Sequence, residues 1–179
     1  MRKFVGIYFI MIVILSSCSG FSNNMLKNDV SVISKENVSG IDGQYESNIY
    51  EGKGEAPAVL SIKNLNREGC DRFIIKSVPL DKKDTYELQF KLLKKDTVKY
   101  ILKYRVYPKN GFLMLDNYSS KCSGIPYLFG SCEKSQSRIG LTKDQNFFIQ
   151  DYYKSSGGAL LFMWTGYTSN STKKYRRIK

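Results

Sequence analysis

The chain has 179 residues, of which 28 are lysine or arginine, 16 are aspartate or glutamate and none is histidine. Without histidine, Ser-His-Asp and Cys-His catalysis are excluded, together with the commonest side-chain ligand of metals. The net charge of +12 favours anionic surroundings such as phospholipid head groups, acidic glycans or an acidic protein. The length suits one domain with a real core, and 13 Tyr and 10 Phe beside 4 Pro favour strands.

The amino terminus carries a short basic segment, Arg2 and Lys3, and then an uncharged apolar run over residues 4–15. A run of this length is typical of a signal peptide, because a transmembrane helix needs about 20 apolar residues. Small residues and a cysteine follow at once, in the order Leu15-Ser16-Ser17-Cys18. This combination predicts that residues 1–17 are a removable leader.

The order Leu15-Ser16-Ser17-Cys18 resembles the lipobox of bacterial lipoprotein precursors, with leucine three places before the cysteine and small residues between. The resemblance covers residues 1–18 and implies that Cys18 becomes lipidated with fatty acyl chains such as palmitate. Two or more chains anchor a protein stably, because each buried methylene contributes about 0.8 kcal/mol. In Gram-negative relatives, a serine such as Ser19 after the cysteine goes with the outer membrane. The implied location is therefore the cell envelope, on the outer membrane facing the periplasm.

Cleavage before Cys18 would remove Arg2, Lys3 and no acidic residue, so the net charge would fall from +12 to +10. An exported, acylated protein rarely meets nucleic acid, and we expect no such partner. The surplus lysines equally suit solvated strand faces. Residues 18–42 are rich in serine and asparagine and are predicted to form the lipidated cysteine and a flexible tether. The folded domain is predicted over residues 43–179.

Three other cysteines, Cys70, Cys122 and Cys132, are expected to meet an oxidising compartment, where a disulfide is stable. Cys122 and Cys132 bracket a turn-rich segment and are the predicted pair, which leaves Cys70 as a buried thiol. Pairings through Cys70 stay open at this stage.

Strand signals recur through the predicted domain. The clearest is the alternation of apolar and polar residues over 86–92, which resumes over 98–106 and is followed by the tight-turn pair Asn110-Gly111. Turns are predicted over 51–54, 66–69 and 155–158. These patterns predict an all-β antiparallel meander. The predicted strands are 45–50, 59–65, 73–78, 86–92, 98–106, 112–115, 137–141, 147–153, 159–165 and 173–178.

Short strands joined in this way predict either an up-and-down barrel or a two-sheet sandwich. Gly43-Gln44-Tyr45 near the start of the domain and Arg176 or Arg177 near its end are similar to lipocalin-like proteins. Those proteins open with Gly-x-Trp and place an arginine of the last strand on the tryptophan ring. The resemblance implies a small lipocalin-like barrel in which Tyr45 and one arginine make a cation–π contact at the closed end.

No arrangement of residues points to catalysis, so we expect no enzyme, no cofactor and no metal. The cysteine spacing does not resemble a zinc site, and no phosphate-binding or calcium-binding loop is present. Glycosidase chemistry needs two carboxylates, and four are available in the second half of the chain. Nothing in their spacing separates them from surface charges: Asp116, Glu133, Asp144 and Asp151.

Two groups of residues are candidates for binding. Aromatic residues are expected either to line an apolar cavity or to fill the interior, as side chains usually do in small barrels. This group is Tyr100, Tyr104, Phe112, Tyr127, Phe129, Phe162 and Trp164. A basic group is expected to meet an anionic surface or to be a solvated last strand. This group is Lys173, Lys174, Arg176, Arg177 and Lys179.

Two functions follow from these groups. The first is binding of a small apolar ligand or lipid, which requires an internal cavity above about 300 Å³. The second is a protein–protein interaction module, such as an inhibitor, an immunity protein or an envelope assembly factor. It needs only an exposed aromatic or basic patch on a filled domain.

Overall fold

The structure, a computed structural model, describes residues 20–22, 26, 29–54, 65, 69–125, 129–159 and 163–178. The predicted leader, Cys18 and the predicted strand over 59–65 lie outside the described residues, apart from Leu65. Tyr127, Phe162 and Lys179 lie outside them as well.

The described part of the chain forms a single antiparallel sheet of nine strands, preceded by a 3₁₀ helix, Lys35–Ile41. The all-β prediction is therefore confirmed. The strands are β1 Gly43–Lys53, β2 Arg72–Pro79, β3 Tyr86–Lys94, β4 Thr97–Lys109, β5 Phe112–Leu115, β6 Ser119–Ile125, β7 Phe129–Leu141, β8 Phe147–Ala159 and β9 Met163–Ile178.

The backbone pairing of the sheet closes on itself. The strand order is β5-β4-β3-β2-β1-β9-β8-β7-β6, and β5 also pairs with β7 through Leu113 with Ile139 and Met114 with Arg138. Hydrogen bonds therefore run around a ring from β5 through β1 and β9 to β7, and β6 pairs with β7 outside that ring. The predicted meander corresponds to β2–β5, where each strand pairs with the next.

Strand ends differ from the prediction where the sequence is rich in serine and glycine. The predicted turn over 155–158 is wrong, because these residues lie inside β8 and pair with β7 on one side and β9 on the other. Residues 163–165 of the strand predicted over 159–165 and the strand predicted over 173–178 belong to one long strand, β9, whereas residue 159 ends β8 and residues 160–162 lie outside the described part of the chain. Likewise, residues 51–53 continue β1 rather than ending it. Pairing on both sides satisfies the backbone, so turn-forming residues stay extended here.

Part of the predicted tether packs against the sheet. Ile33, Val38 and Ile41 are almost fully buried and belong to the same apolar core as the strands. The 3₁₀ helix carries the last two of these side chains, which places it over one end of the ring. These apolar residues stabilise the segment on the domain, because their burial removes apolar surface from water.

The centre of the ring is filled by aromatic side chains. Phe73 is fully buried and contacts the rings of Tyr45, Phe90, Phe147 and Tyr175, with centroids 5.4–6.0 Å apart. Aromatic pairs at such distances add stability beyond the area that they bury. The middle of the domain is thus a packed core.

Arg177 closes the end of the ring near the 3₁₀ helix. Its guanidinium lies 5.6 Å from the Tyr45 ring centroid and donates hydrogen bonds to the carbonyls of Gly40 and Asp42. The predicted cation–π contact is confirmed, with Arg177 as the partner. A Cβ at Gly43 would lie 2.8 Å from Nη2 of Arg177, so a larger residue here would have to displace the guanidinium. Burial raises the pKa of Tyr45 to about 12, opposed by the charge of Arg177.

Replacing Arg177 should cost more stability than replacing its neighbour. We expect Arg177→Ala to lower the free energy of unfolding by about 2 kcal/mol, because two charge-assisted hydrogen bonds to backbone carbonyls are lost. Arg176 is exposed and lies over the Tyr50 ring at 5.3 Å, so Arg176→Ala should cost less than about 1 kcal/mol. Urea unfolding of the two variants measures both values, and equal losses would contradict the role of Arg177.

Candidate functional site

Three strands of the ring continue beyond it as an antiparallel sheet. Pairing of β9 with β1 ends at Thr172 and Lys53, whereas β7, β8 and β9 remain paired up to Phe129, Ala159 and Met163. β6 pairs along the same part of β7. We call β6 with residues 129–136, 152–159 and 163–170 the extended sheet.

The inner face of the extended sheet continues the interior of the ring. Ile139, Ile149 and Tyr175 point into the core, and residues at even spacing from them lie on the same face. On this face the rings of Tyr153 and Tyr167 are 5.6 Å apart. Tyr167 is 56% exposed and Phe129 is 58% exposed. Exposed large aromatic residues on one face are typical of an interaction surface.

The outer face carries the start of the described chain, residues 20–22, which we call the N-terminal strap. The rings of Phe21 and Tyr152 lie 5.7 Å apart. Ser22 donates its backbone N–H to Asn170 Oδ1 at 3.1 Å and accepts a hydrogen bond from Gln150 Nε2 at 2.8 Å. The strap is therefore fixed to both β8 and β9.

A buried arginine lies beneath the strap. The guanidinium of Arg138 is 4.5 Å from the Phe21 ring centroid and 4.0 Å from that of Phe112, and its Nε donates to Gln150 Oε1 at 2.7 Å. Burial lowers the pKa of Arg138 to about 10, so the side chain stays charged near neutral pH. Neither Arg138 nor the strap was predicted from the sequence.

The predicted aromatic group does not form one lining. Tyr100 and Tyr104 are half-buried and pack against the core from inside the ring, and burial raises the pKa of Tyr104. The inward placement of Phe112 is wrong: Leu113 and Leu115 take the interior positions of β5, so Phe112 lies on the outer face with Arg138. Residue 164 belongs to β9, but the Trp164 side chain lies outside the description.

The predicted basic group is divided between the two faces of β9, because successive residues of a strand alternate. Lys173 and Arg177 share the parity of the core residue Tyr175. Lys174 is buried on the other face and forms ion pairs with Glu51 at 3.0 Å and Asp29 at 3.5 Å. The bond to Lys174 lowers the pKa of Glu51. These cations therefore do not form one continuous surface.

The predicted disulfide is confirmed. Cys122 and Cys132 are bonded and lie directly opposite each other in β6 and β7, and Cys70 is a buried free thiol. The bracketed segment begins and ends as two paired strands rather than as a loop. The disulfide therefore links the edge strand β6 to the rest of the extended sheet.

A buried polar chain lies inside the ring, where the aromatic core meets the extended sheet. Asn117 Nδ2 donates to Ser137 Oγ at 3.1 Å, and Ser137 Oγ donates to Asp151 Oδ1 at 2.6 Å. Ser171, paired with Asp151, has a buried hydroxyl that makes no hydrogen bond of normal geometry among the described residues. Burial raises the pKa of Asp151, and Ser137, Lys173 and the nearby Ser171 hydroxyl oppose this effect.

Asp151→Asn should make the protein more stable at neutral pH. Because the pKa of Asp151 is raised in the folded protein, its contribution to stability is fully present below the pKa of the unfolded state, about 3.9. This contribution is lost as the pH rises through the pKa of the folded state. An amide mimics the neutral form and can still accept the Ser137 bond. We expect a gain on the order of 1 kcal/mol at pH 7 that shrinks toward pH 4.

The measurement is urea unfolding of Asp151→Asn and of the parent protein at both pH values. Asp144→Asn, in an exposed turn, is the control and should change stability by less than about 0.5 kcal/mol. A loss of stability in Asp151→Asn at pH 7 would show that the charged carboxylate is needed for folding.

An open cleft of about 390 Å³ lies outside the ring, near the end opposite the extended sheet. Its lining includes Lys35, Lys82, Lys83 and Asp84, and Lys35 pairs with Asp84. Because the cleft is on the surface and rich in lysine, it is not the internal apolar cavity that a lipid-binding barrel requires.

The other observations on the site are negative. In the described ranges, no helix combines the length and the apolar character needed to cross a membrane. No three acidic or cysteine side chains of these ranges are grouped so as to hold a metal ion. No protein-family model, no curated protein and no solved structure matches this chain.

Proposed function

We propose that the mature protein is a lipid-anchored lipoprotein of a bacterial envelope and acts as a non-enzymatic binding module. The lipobox-like order Leu15-Ser16-Ser17-Cys18, directly after an apolar run, supports the anchor. Ser19 supports the outer membrane, on the periplasmic side. The disulfide between Cys122 and Cys132 is in keeping with an oxidising compartment.

We also propose that the domain is a small lipocalin-like barrel. The pairing of β5 with β7 supports a barrel over a two-sheet sandwich, because hydrogen bonds continue around all sides of the core. The contact between Tyr45 and Arg177 supports the lipocalin-like assignment, with tyrosine in place of tryptophan.

The packing of the barrel favours a protein partner over an apolar ligand. Phe73 and the four rings around it occupy the centre, where a lipid chain would have to lie. The filled centre of the barrel is the observation that favours a protein partner over an apolar ligand. The inner face of the extended sheet supplies an alternative surface, with Phe129 and Tyr167 exposed. The corresponding functions are those of an inhibitor, an immunity protein or an envelope assembly factor.

Two measurements test the proposal, the first on the anchor. The full-length gene product is expressed in a bacterial host, and the mature protein is analysed by intact mass spectrometry. We expect a chain that begins at Cys18 and carries acyl groups, and we expect Cys18→Ser to leave the membrane fraction. An unmodified thiol at Cys18 would overturn the anchor.

The second measurement concerns the partner. A photo-crosslinking amino acid is placed at Phe129 or Tyr167 in the acylated protein, and at Val98 and Ile101 as exposed controls on β4. We expect a defined protein adduct at the first two positions and none at the controls. A bound lipid seen by native mass spectrometry, and lost on Tyr104→Ala, would favour the apolar-ligand function instead.

A further inference from the structure

We propose that the N-terminal strap holds the outer face of the extended sheet against the bilayer, where Lys134 and Lys154 contact anionic lipid head groups. This inference rests on the proposed acylation of Cys18 and adds to it a defined orientation of the domain. The occupant of the outer face is thus the surface of the membrane in which the anchor is inserted.

The distance from the anchor to the sheet is the first argument. Phe21 is fixed to Tyr152 and Arg138, and it follows Cys18 by three positions in the sequence. A fully extended chain spans at most about 3.3–3.6 Å per residue, so this connection reaches about 11 Å. The thioether of Cys18 would lie at the level of the lipid head groups. The outer face around Tyr152 must then lie close to the membrane surface.

The register of the strands identifies which residues come next on that face. Lys154 lies two residues after Tyr152 and pairs directly with Lys134 of β7. Lys134 is exposed and Lys154 is half-buried. Two residues of a strand span about 7 Å. Both lysines are therefore close enough to the strap to contact the same membrane surface.

Charge complementarity is the second argument. The outer-face positions of the extended sheet whose side chains are described include no acidic residue: Ser120, Cys122, Gly124, Gly130, Cys132, Lys134, Gln136, Tyr152, Lys154, Ser156, Gly158, Gly166, Thr168 and Asn170. Residue 164, a tryptophan opposite Gly158, has the same parity, and its side chain lies outside the described part of the structure. Glu133 lies at the opposite parity. A face with two lysines and no described acid suits an anionic bilayer.

This orientation also separates the two faces of the extended sheet. With the outer face on the membrane, the inner face with Phe129 and Tyr167 points away from it. The proposed protein partner and the bilayer would therefore use opposite faces of the same strands.

The test uses the acylated, full-length mature protein in vesicles that contain about one third phosphatidylglycerol, and in detergent micelles. Lysines are acetylated with a water-soluble reagent and quantified by mass spectrometry. We expect labelling of Lys134 and Lys154 to fall at least fivefold in anionic vesicles relative to micelles, the size of effect typical of one lysine near such a surface. Lys99, exposed on β4, should label equally in both.

A variant separates the strap from the anchor. Insertion of about ten Gly and Ser residues after Ser19 keeps the lipobox and the strap but lengthens the connection. We expect the protection of Lys134 and Lys154 to be largely lost, with the acyl mass on Cys18 unchanged. As a second readout, the strap of the parent protein should be better protected from proteolysis in anionic vesicles than in zwitterionic vesicles. The double variant Lys134→Gln and Lys154→Gln should remove this difference.

The outcomes are distinguishable. An unmodified Cys18 in the mass spectrum overturns the proposed anchor and this inference together. An acylated Cys18 with Lys134 and Lys154 labelled as in micelles overturns the orientation alone. If Lys134 and Lys154 are protected from acetylation in native membranes but not in pure anionic vesicles, lipid is overturned as the occupant and the outer face is assigned to a protein.

Discussion

Phe73→Ala is expected to lower the free energy of unfolding by about 3–5 kcal/mol. The Phe73 side chain is fully buried and contacts four other aromatic rings, so its removal leaves a cavity that these rigid neighbours cannot fill. Urea unfolding followed by far-ultraviolet circular dichroism gives the value. The same experiment tests whether the interior is a packed core or a ligand site.

Val98→Ala is the control for this measurement. Val98 lies on β4 and is 44% exposed, so its truncation should cost less than about 0.5 kcal/mol. If Phe73→Ala cost as little as Val98→Ala, the centre of the ring would not be close-packed. That result would favour the apolar-ligand function over the protein partner.

Loss of the disulfide is expected to have the second largest effect. Cys122 and Cys132 are separated by 10 positions, and closing a loop of this length stabilises a folded chain by about 3 kcal/mol in the chain-entropy model. We therefore expect the double variant Cys122→Ser and Cys132→Ser to unfold at a lower urea concentration than the parent. The extended sheet should be affected first, because β6 is its edge.

The control for this prediction is the response to a reductant. The parent protein should lose about 3 kcal/mol when reduced, whereas the double variant should not change further. Hydrogen exchange of the β6 and β7 amides locates the effect. A reductant that destabilised the double variant equally would show that its effect does not come from breaking the bond between Cys122 and Cys132.

Where one face of a strand is buried, the sequence is informative. The alternation over 86–92 and 98–106 identifies β3 and β4, because polar and apolar residues separate between the two faces, with Ile101 on the polar face as the exception. The same reasoning fails over 155–158. Serine and glycine there indicate a turn in isolation. Pairing of both edges of β8 by distant segments overrides that local preference.

The buried carboxylate Asp151 was not predicted, because its spacing in the sequence does not separate it from surface charges. In β8 it follows Phe147 and Ile149 at interior parity, and it is buried. The half-buried position of Phe21 was not predicted either, because it is an isolated apolar residue in a polar stretch. Its partners Arg138 and Tyr152 lie on β7 and β8, far along the chain. Closure through Leu113 and Ile139 is equally non-local.

The pairing of β1 with β9 also determines when the fold can be completed. Gln44 pairs with Ile178, so the first strand of the sheet has no β9 partner until the last strand has been synthesised. Contacts between such distant segments slow folding, because much chain entropy is lost before they form. The first strand of a nascent chain therefore keeps one edge without its native partner until about 130 further residues have been synthesised, and the ring cannot close before then.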